Sequence, residues 1–192
     1  MLRITAGEHR GRRLPVPAVR ATRPLVARAR QALMDHLRPL LPGATVWDVY
    51  AGSGILGFEA LSRGAAEVVA VERHPRAARQ IEASAELLGY RDRVRVLRLD
   101  AREFLATGPS PAPDLVFFDP PYAAFRGSGR PTVWRLFLDL AGALRPGGAA
   151  VVHTPRGILA AAEQAELPGL ARRDYGTTSL WWWHAPPAEA ES

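Results

Sequence analysis

The sequence predicts an α/β domain, a mostly parallel β-sheet with helices packed on both faces. Three observations predict it. From residue 45 onward, short apolar runs alternate with helix-like stretches. The runs are apolar at successive positions, as strands buried on both faces require, and their alternation with helices is that of repeated strand–helix–strand units. Near the end, two β-capable segments flank Gly176, close enough to pair as an antiparallel hairpin. At 192 residues the chain fits one domain with a small appendage.

In chain order, RITAG, HRG and RRLPVP read as a short hairpin around a glycine turn. A helix follows. Pro24 suits its first turn, Thr22 or Arg23 precedes it, and Leu25, Ala29, Ala32, Leu33 and Leu37 form an apolar stripe that stops at Pro39 and Pro42-Gly43. Strands are expected over 45–50, 67–72, 94–99, 114–119 and 149–154, with helices over 55–62, 75–88, 101–105 and 132–144. Beyond 158–166, the closing hairpin takes 170–175 and 178–184. Its second strand carries Trp181, Trp182 and Trp183, which must alternate between faces; core packing is expected rather than one platform for stacking bases. The chain thus divides into a basic hairpin and helix (1–40), the α/β domain (41–185) and a tail (186–192) expected to be disordered.

Charge placement says more than net charge. The first 30 residues hold eight Arg and one acid, Glu8, whereas the whole chain is +6, so the remainder is near neutral. All 25 basic residues are Arg, and neither Lys nor Asn occurs; that points to a GC-rich codon bias, so the clustering is the signal. A basic arm on a near-neutral body suits a polyanionic partner, with a solvated, self-repelling leader as the alternative. Zero cysteines exclude disulfides and thiolate metal sites, and the five His show no H-x-x-x-H or H-E-x-x-H pairing, so no metal is expected. No apolar stretch approaches the roughly 18 residues of a membrane span, and the N-terminus lacks a signal peptide's apolar core. A cytoplasmic protein with no membrane partner is expected.

Gly52-Ser53-Gly54-Ile55-Leu56-Gly57 is a G-x-G-x-x-G between a predicted strand and a predicted helix, the context that motif requires. Gly52 and Gly54 permit a tight turn and close ligand approach, and Gly57 lets the helix pack on the sheet. Glu72 closes the next strand, twenty residues after Gly52, where an acid accepts hydrogen bonds from two ribose hydroxyls. Both a dinucleotide and S-adenosylmethionine carry that ribose. Asp48, four residues before Gly52, would repel a pyrophosphate but suits the ammonium of a methionine moiety; bracing the loop is its other reading. Asp100 ends the following strand. It could accept from an adenine amino group, with the Ala101 amide at the ring nitrogen, or simply cap the next helix.

Residues 114–122, DLVFFDPPY, end a buried strand in an acid, two prolines and an aromatic. Neither Pro120 nor Pro121 can donate a backbone hydrogen bond, so the turn presents fixed acceptors beside Asp119. Such a cluster wants a donor, and a nucleobase amine is one. If Asp119 and the Pro120 carbonyl each accept an N–H, the nitrogen can pyramidalise toward a sulfonium methyl while the same oxygens stabilise the developing positive charge. Tyr122 would stack on an unstacked or flipped base. Arg10, Arg12, Arg13 and Arg23 of the arm, with Arg126 and Arg130 after the motif, are expected to contact phosphates.

Together, DVYAGSGILGFEALSRGAAEVVAVER, FFDPPY and TRPLVARARQALMDHL resemble the RsmD-type bacterial 16S rRNA guanine-N2 methyltransferases over essentially the whole chain. The resemblance implies a Rossmann-like class I S-adenosylmethionine-dependent methyltransferase fold with a seven-stranded sheet and a terminal antiparallel hairpin. It also implies S-adenosylmethionine as donor and a guanine of 16S rRNA as acceptor, presented to a monomer in an assembling small subunit. The family's acidic Asp-Pro-Pro-aromatic motif falls on residues 119–122, its loop on Ala51, Gly52, Ser53, Gly54 and onward to Gly57, and its ribose acid on Glu72. Its Thr-Arg-Pro segment falls on Thr22, Arg23 and Pro24, followed by the spacing of Arg28 and Arg30. Tyr50 stands where the family has Phe, and Leu25 and Ala27 where it has Thr and an acid.

Four other readings compete. A DNA adenine or cytosine amino-methyltransferase shares the chemistry but needs a target-recognition region, for which no segment remains. A protein-glutamine methyltransferase gives the arm no task. Asp48, and the lack of an obvious catalytic His or Lys, disfavour a nicotinamide dehydrogenase. The last is a non-catalytic RNA-binding assembly factor on the same scaffold.

Overall fold

A computed structural model describes residues 2–15 and 25–188. Strand β1 (Leu2–Arg3) pairs antiparallel with β2 (Arg13–Leu14), forming the small hairpin, and α1 (Ala27–His36) follows. The body then runs β3 (Thr45–Val49), α2 (Ile55–Ser62), β4 (Glu67–Val71), α3 (Pro75–Leu87), β5 (Val94–Leu97), α4 (Ala101–Ala106) and β6 (Leu115–Phe118). It continues through α5 (Gly129–Gly142), β7 (Ala149–Pro155), α6 (Ala161–Ala165), β8 (Ala171–Tyr175) and β9 (Thr178–His184). The seven body strands form one sheet in the order β5-β4-β3-β6-β7-β9-β8. All pairs are parallel except β7 with β9 and β8 with β9.

Period-two alternation sorts the strands' side chains onto two cores. Val46, Val68, Ala70, Leu115, Phe117, Val151 and Leu180 face α1, α2 and α3. Trp47, Val49, Val69, Val116, Phe118, Val152 and Trp181 face α4 and α5. Trp182 packs against the first core and Trp183 against the second, as the alternation requires. One expected boundary moves: α5 starts at Gly129, earlier than residue 132, because Pro131 fits a first turn whose amides need no intrahelical partner. The stretch containing Thr22, Arg23 and Pro24 lies outside the described residues.

Helix α2 is buried at every position, which a helix covering one sheet face would not be by itself. The hairpin and α1 cover its outer side, and Ile4, Leu14, Leu25, Ala29, Leu33 and Met34 belong to the same core as Phe58 and Leu61. Packing therefore shows no break at the expected division near residue 40. Polar anchorage converges on Glu59, which is 0% exposed. It accepts from the Thr5 amide (3.0 Å), Thr5 Oγ1 (2.9 Å), Arg30 Nε (2.9 Å) and the Arg63 guanidinium. Arg30, itself buried, also donates to the carbonyls of Leu25 (3.0 Å) and Arg3 (2.8 Å). Breaking such a pair by removing one partner costs about 3–5 kcal/mol, because the other charge is left buried.

Candidate active site

β3 lies between β4 and β6, the point where successive strand–helix units depart in opposite directions and leave a crevice at the strands' carboxyl ends. Register brings the loops there together. Val49 pairs with both Val71 and Phe118, and Phe118 with Val152, so Glu72, Tyr50, Asp119 and His153 follow in one row across four strands. The Asp119 amide donates to the Val49 carbonyl (3.1 Å) and that of Ala51 to the Val71 carbonyl (3.1 Å), extending the ladder into both loops.

Positive φ angles shape the first loop: Tyr50 at 62°, Gly52 at 57° and Gly54 at 72°. Among the described residues Tyr50 is the only non-glycine with such an angle, a conformation that costs about 1–3 kcal/mol and persists when the surroundings enforce it. Its ring packs on Phe118 with centroids 5.5 Å apart, and its hydroxyl pKa is raised by burial and next by Asp100. Glu72 ties the loop down, accepting from the Gly52 amide (2.9 Å) and the His74 amide (2.7 Å). Gly57 is needed for packing: a Cβ there would stand 2.9 Å from Val68 Cγ1. Ala51 is buried beneath the loop and Ser53 is half-buried. Gly54, the N-cap of α2, supplies no side-chain cap, so the amides of Ile55 and Leu56 are left as donors without a partner among the described residues.

Asp48 departs from the expected encounter with a ligand's ammonium. It shares strand parity with Val46, lies beneath the loop at 1% exposure, and its Oδ2 accepts from the Gly57 amide (3.0 Å). Burial, reinforced by Asp119 and Glu72 against the opposing Gly57 bond, pushes its pKa up to about 8. Held there, Asp48 braces the start of α2 through the Gly57 amide. The acids remaining at the rim are Glu72, Asp100 and Asp119, none fully buried. Asp100 caps α4: its Oδ1 accepts from the Arg102 amide (3.1 Å), while Glu103 accepts from the Asp100 amide (3.0 Å), a capping box. Its Oδ2 lies 3.7 Å from the Arg73 guanidinium. Ala101 opens α4 and is buried.

The second loop supplies acceptors. Pro121's carbonyl is bonded by the Ala124 amide (2.8 Å) in a one-turn 3₁₀ helix, Tyr122–Phe125, while no described residue donates to the Pro120 carbonyl. Asp119 Oδ1 accepts from His153 Nδ1 (2.7 Å), leaving Oδ2 without a partner among the described residues. His153 Nε2 contacts Thr178 Oγ1 and lies 3.3 Å from the Tyr122 hydroxyl. The sequence reading found no catalytic His near a pocket; the structure places His153 directly behind the motif. Its only sequence signal is a polar residue one step past the apolar run of β7.

The arginines separate. Arg12, Arg13 and Arg126 are exposed, with no ion pair among the described residues, and Arg23 lies outside those residues. Arg10 sits in the hairpin turn, which docks at the far end of α2: the amides of Glu8 and His9 donate to the Ser62 carbonyl (2.8 Å) and Oγ (3.0 Å). That end is about 12 Å of helix from the glycine loop. Arg130, whose side chain is 39% exposed, pairs its Nε with Glu163 at 3.0 Å and fastens the start of α5 to α6. Arg30 is a buried anchor. No metal-competent cluster of three or more His, Cys, Asp or Glu, and no helix long and apolar enough to cross a membrane, occurs among the described residues.

The switch-point crevice, the braced glycine loop and the acceptor turn beside it define a Rossmann-like methyltransferase fold. The family described as conserved hypothetical protein 95 matches residues 2–184, and the chain belongs to it, the family of the RsmD-type methyltransferases. "Ribosomal RNA small subunit methyltransferase D" of Escherichia coli is 39% identical over 121 residues, 63% of this chain and 60% of that relative. The chain thus matches less than two thirds of that relative's length. The solved structure of yhhF from Escherichia coli is 29% identical, with a TM-score of 0.79 over 96% of this chain and 98% of that one. An RNA methyltransferase from Salinibacter ruber, solved in complex with S-adenosyl-L-homocysteine, shares the fold at 17% identity (TM-score 0.58, covering 88% and 98%).

Proposed function

We propose that the chain transfers the methyl group of S-adenosylmethionine to the exocyclic N2 amine of a guanine in 16S rRNA, acting as a monomer on an assembling small subunit. The carrying observation is the acceptor pair, Asp119 Oδ2 and the Pro120 carbonyl, one strand from the glycine loop. The relative's name supports the rRNA substrate, and the Salinibacter structure supports the donor. The residues fit that donor. Gly52 and Gly54 give the loop its left-handed turns, and the uncapped Ile55 and Leu56 amides suit a carboxylate. Glu72 suits a ribose diol, and Asp100 with the Ala101 amide suits an adenine edge. The three rim acids would repel a pyrophosphate.

When bound, S-adenosylmethionine supplies an electrophilic methyl on a sulfonium. Asp119 and the Pro120 carbonyl accept the two N–H bonds of the guanine amine, drawing its lone pair out of conjugation and stabilising the cation that forms on nitrogen. The proline rings hold these oxygens in place before the base arrives, so no strong base is needed ahead of attack. Tyr122, half-buried, offers its ring face to the base. Arg10, Arg12, Arg13, Arg23, Arg126 and Arg130 meet phosphates.

The test is incubation with tritiated S-adenosylmethionine and unmethylated 16S rRNA or small-subunit particles, followed by nucleoside mapping. Label in N2-methylguanosine is expected; label on adenine, DNA or protein, or none, overturns the reading. RNA affinity should fall steeply with salt, with a shallower slope when Arg12 and Arg13 are neutralised together.

A further inference from the structure

We infer that His153 is the positioning residue of this site, one imidazole that sets the direction of the Asp119 carboxylate and of the Tyr122 ring together. The inference rests on the methyl-transfer reading above. A carboxylate on a short side chain turns broadly about its last bond and presents either oxygen. An acceptor that must receive one particular N–H loses by that freedom, since small misalignments cost rate heavily. Here the 2.7 Å bond from His153 Nδ1 to Asp119 Oδ1 removes it. Because the carboxylate only accepts, Nδ1 is the donor, and Oδ2 is left facing the crevice.

The imidazole is itself held. Its side chain is 5% exposed, against 24% for Asp119, so it stands behind the carboxylate and away from a substrate. Thr178 Oγ1, on β9, closes the Nε2 side and also donates to the Thr154 carbonyl (3.0 Å). Trp181 Nε1, in the same strand, donates to Thr154 Oγ1 (3.1 Å). On its remaining side the Tyr122 hydroxyl lies 3.3 Å from Nε2, with ring centroids 5.6 Å apart. The terminal hairpin thus backs the imidazole, and the imidazole aims two members of the motif.

Three variants test this in the full chain, with tritiated S-adenosylmethionine and unmethylated small-subunit RNA. His153→Asn keeps an amide N–H near the place of Nδ1; His153→Gln carries its amide toward Nε2; His153→Leu has neither. Leu and Gln are expected to lower kcat about 10- to 100-fold, as losing a partner that orients a reacting group does, with KM for S-adenosylmethionine within about threefold. Asn should recover kcat to within about threefold of wild type. Thermal melts accompany each variant, and if Leu does not fold, the contrast of Asn with Gln decides. Equal kcat for Asn and Gln, or a loss confined to KM, overturns the inference. Wild type that labels no RNA overturns the methyl-transfer reading and this inference with it, an outcome told apart because wild type itself fails.

Discussion

The two loops at the crevice are rigid by opposite means. After β3 the backbone takes left-handed conformations at Tyr50, Gly52 and Gly54, and two acidic side chains restrain it by accepting amides: Glu72 from Gly52, Asp48 from Gly57. After β6 the proline rings restrain the backbone, and it is the side chains that need aiming, by His153. The first loop leaves amide donors at the start of α2; the second leaves oxygen acceptors. The two loops therefore suit an anionic group at one and a hydrogen-bond donor at the other, as the proposed donor's methionine carboxylate and, on a second molecule, the guanine amine would supply.

That contrast breaks most severely at Asp119. Asp119→Ala should lower kcat for methyl transfer by about 10²- to 10³-fold, the usual loss of one preorganised charge-stabilising group, while calorimetry finds the donor's Kd little changed. Glu72→Ala should do the reverse. It leaves the Gly52 and His74 amides unpaired and removes the diol acceptor, so Kd for S-adenosylmethionine should rise about 10- to 100-fold with kcat at saturation nearly unchanged. If each variant moved both quantities equally, the division of labour between the loops would be wrong.

Packing under the glycine loop comes next. Gly57→Ala should destabilise by about 1–3 kcal/mol, read as a lower Tm, because its methyl would press on Val68 Cγ1 at 2.9 Å and Asp48 Oδ2 at 3.2 Å. The smallest effect sharpens the role of Asp48. Its raised pKa means that the folded state keeps a proton that the unfolded chain releases, so its contribution is complete below about pH 4 and is lost as pH rises through about 8. Asp48→Asn keeps an acceptor for Gly57 and has nothing to ionise. The Tm of wild type minus that of the variant should therefore decline between pH 4 and pH 8 and level off above. A difference that rises with pH would mean an ionised Asp48 in the folded protein.

Much of this was legible because strands buried on both faces leave unbroken apolar runs, and loops that need glycine or proline display them. The strand and helix order and both crevice loops follow from those signals alone. For Asp48 the sequence leaves two roles open, and it is the alternation with Trp47 and Val49 that turns the side chain toward α2 and the Gly57 amide. What still disfavours a pyrophosphate is the group of rim acids. His153 was not legible, because its partner is 34 positions away and only the β6–β7 register joins them. The docking of the hairpin turn on Ser62 and the pairing of Arg130 with Glu163 were not legible either, since each joins residues more than 30 positions apart.

Glu59 has one more consequence, for how such a protein could be taken apart. A basic leader ahead of a catalytic body looks like a module, separable and open to grafting onto another enzyme. Yet the carboxylate that grips the hairpin and α1 belongs to α2, whose first turn follows the glycine loop. Cutting near residue 40 would take Thr5 and Arg30 from that acid and leave it Arg63 alone, and a transplanted arm would arrive without its socket. The arm and the helix that holds it thus form one packed unit, joined by a shared core and a shared acid.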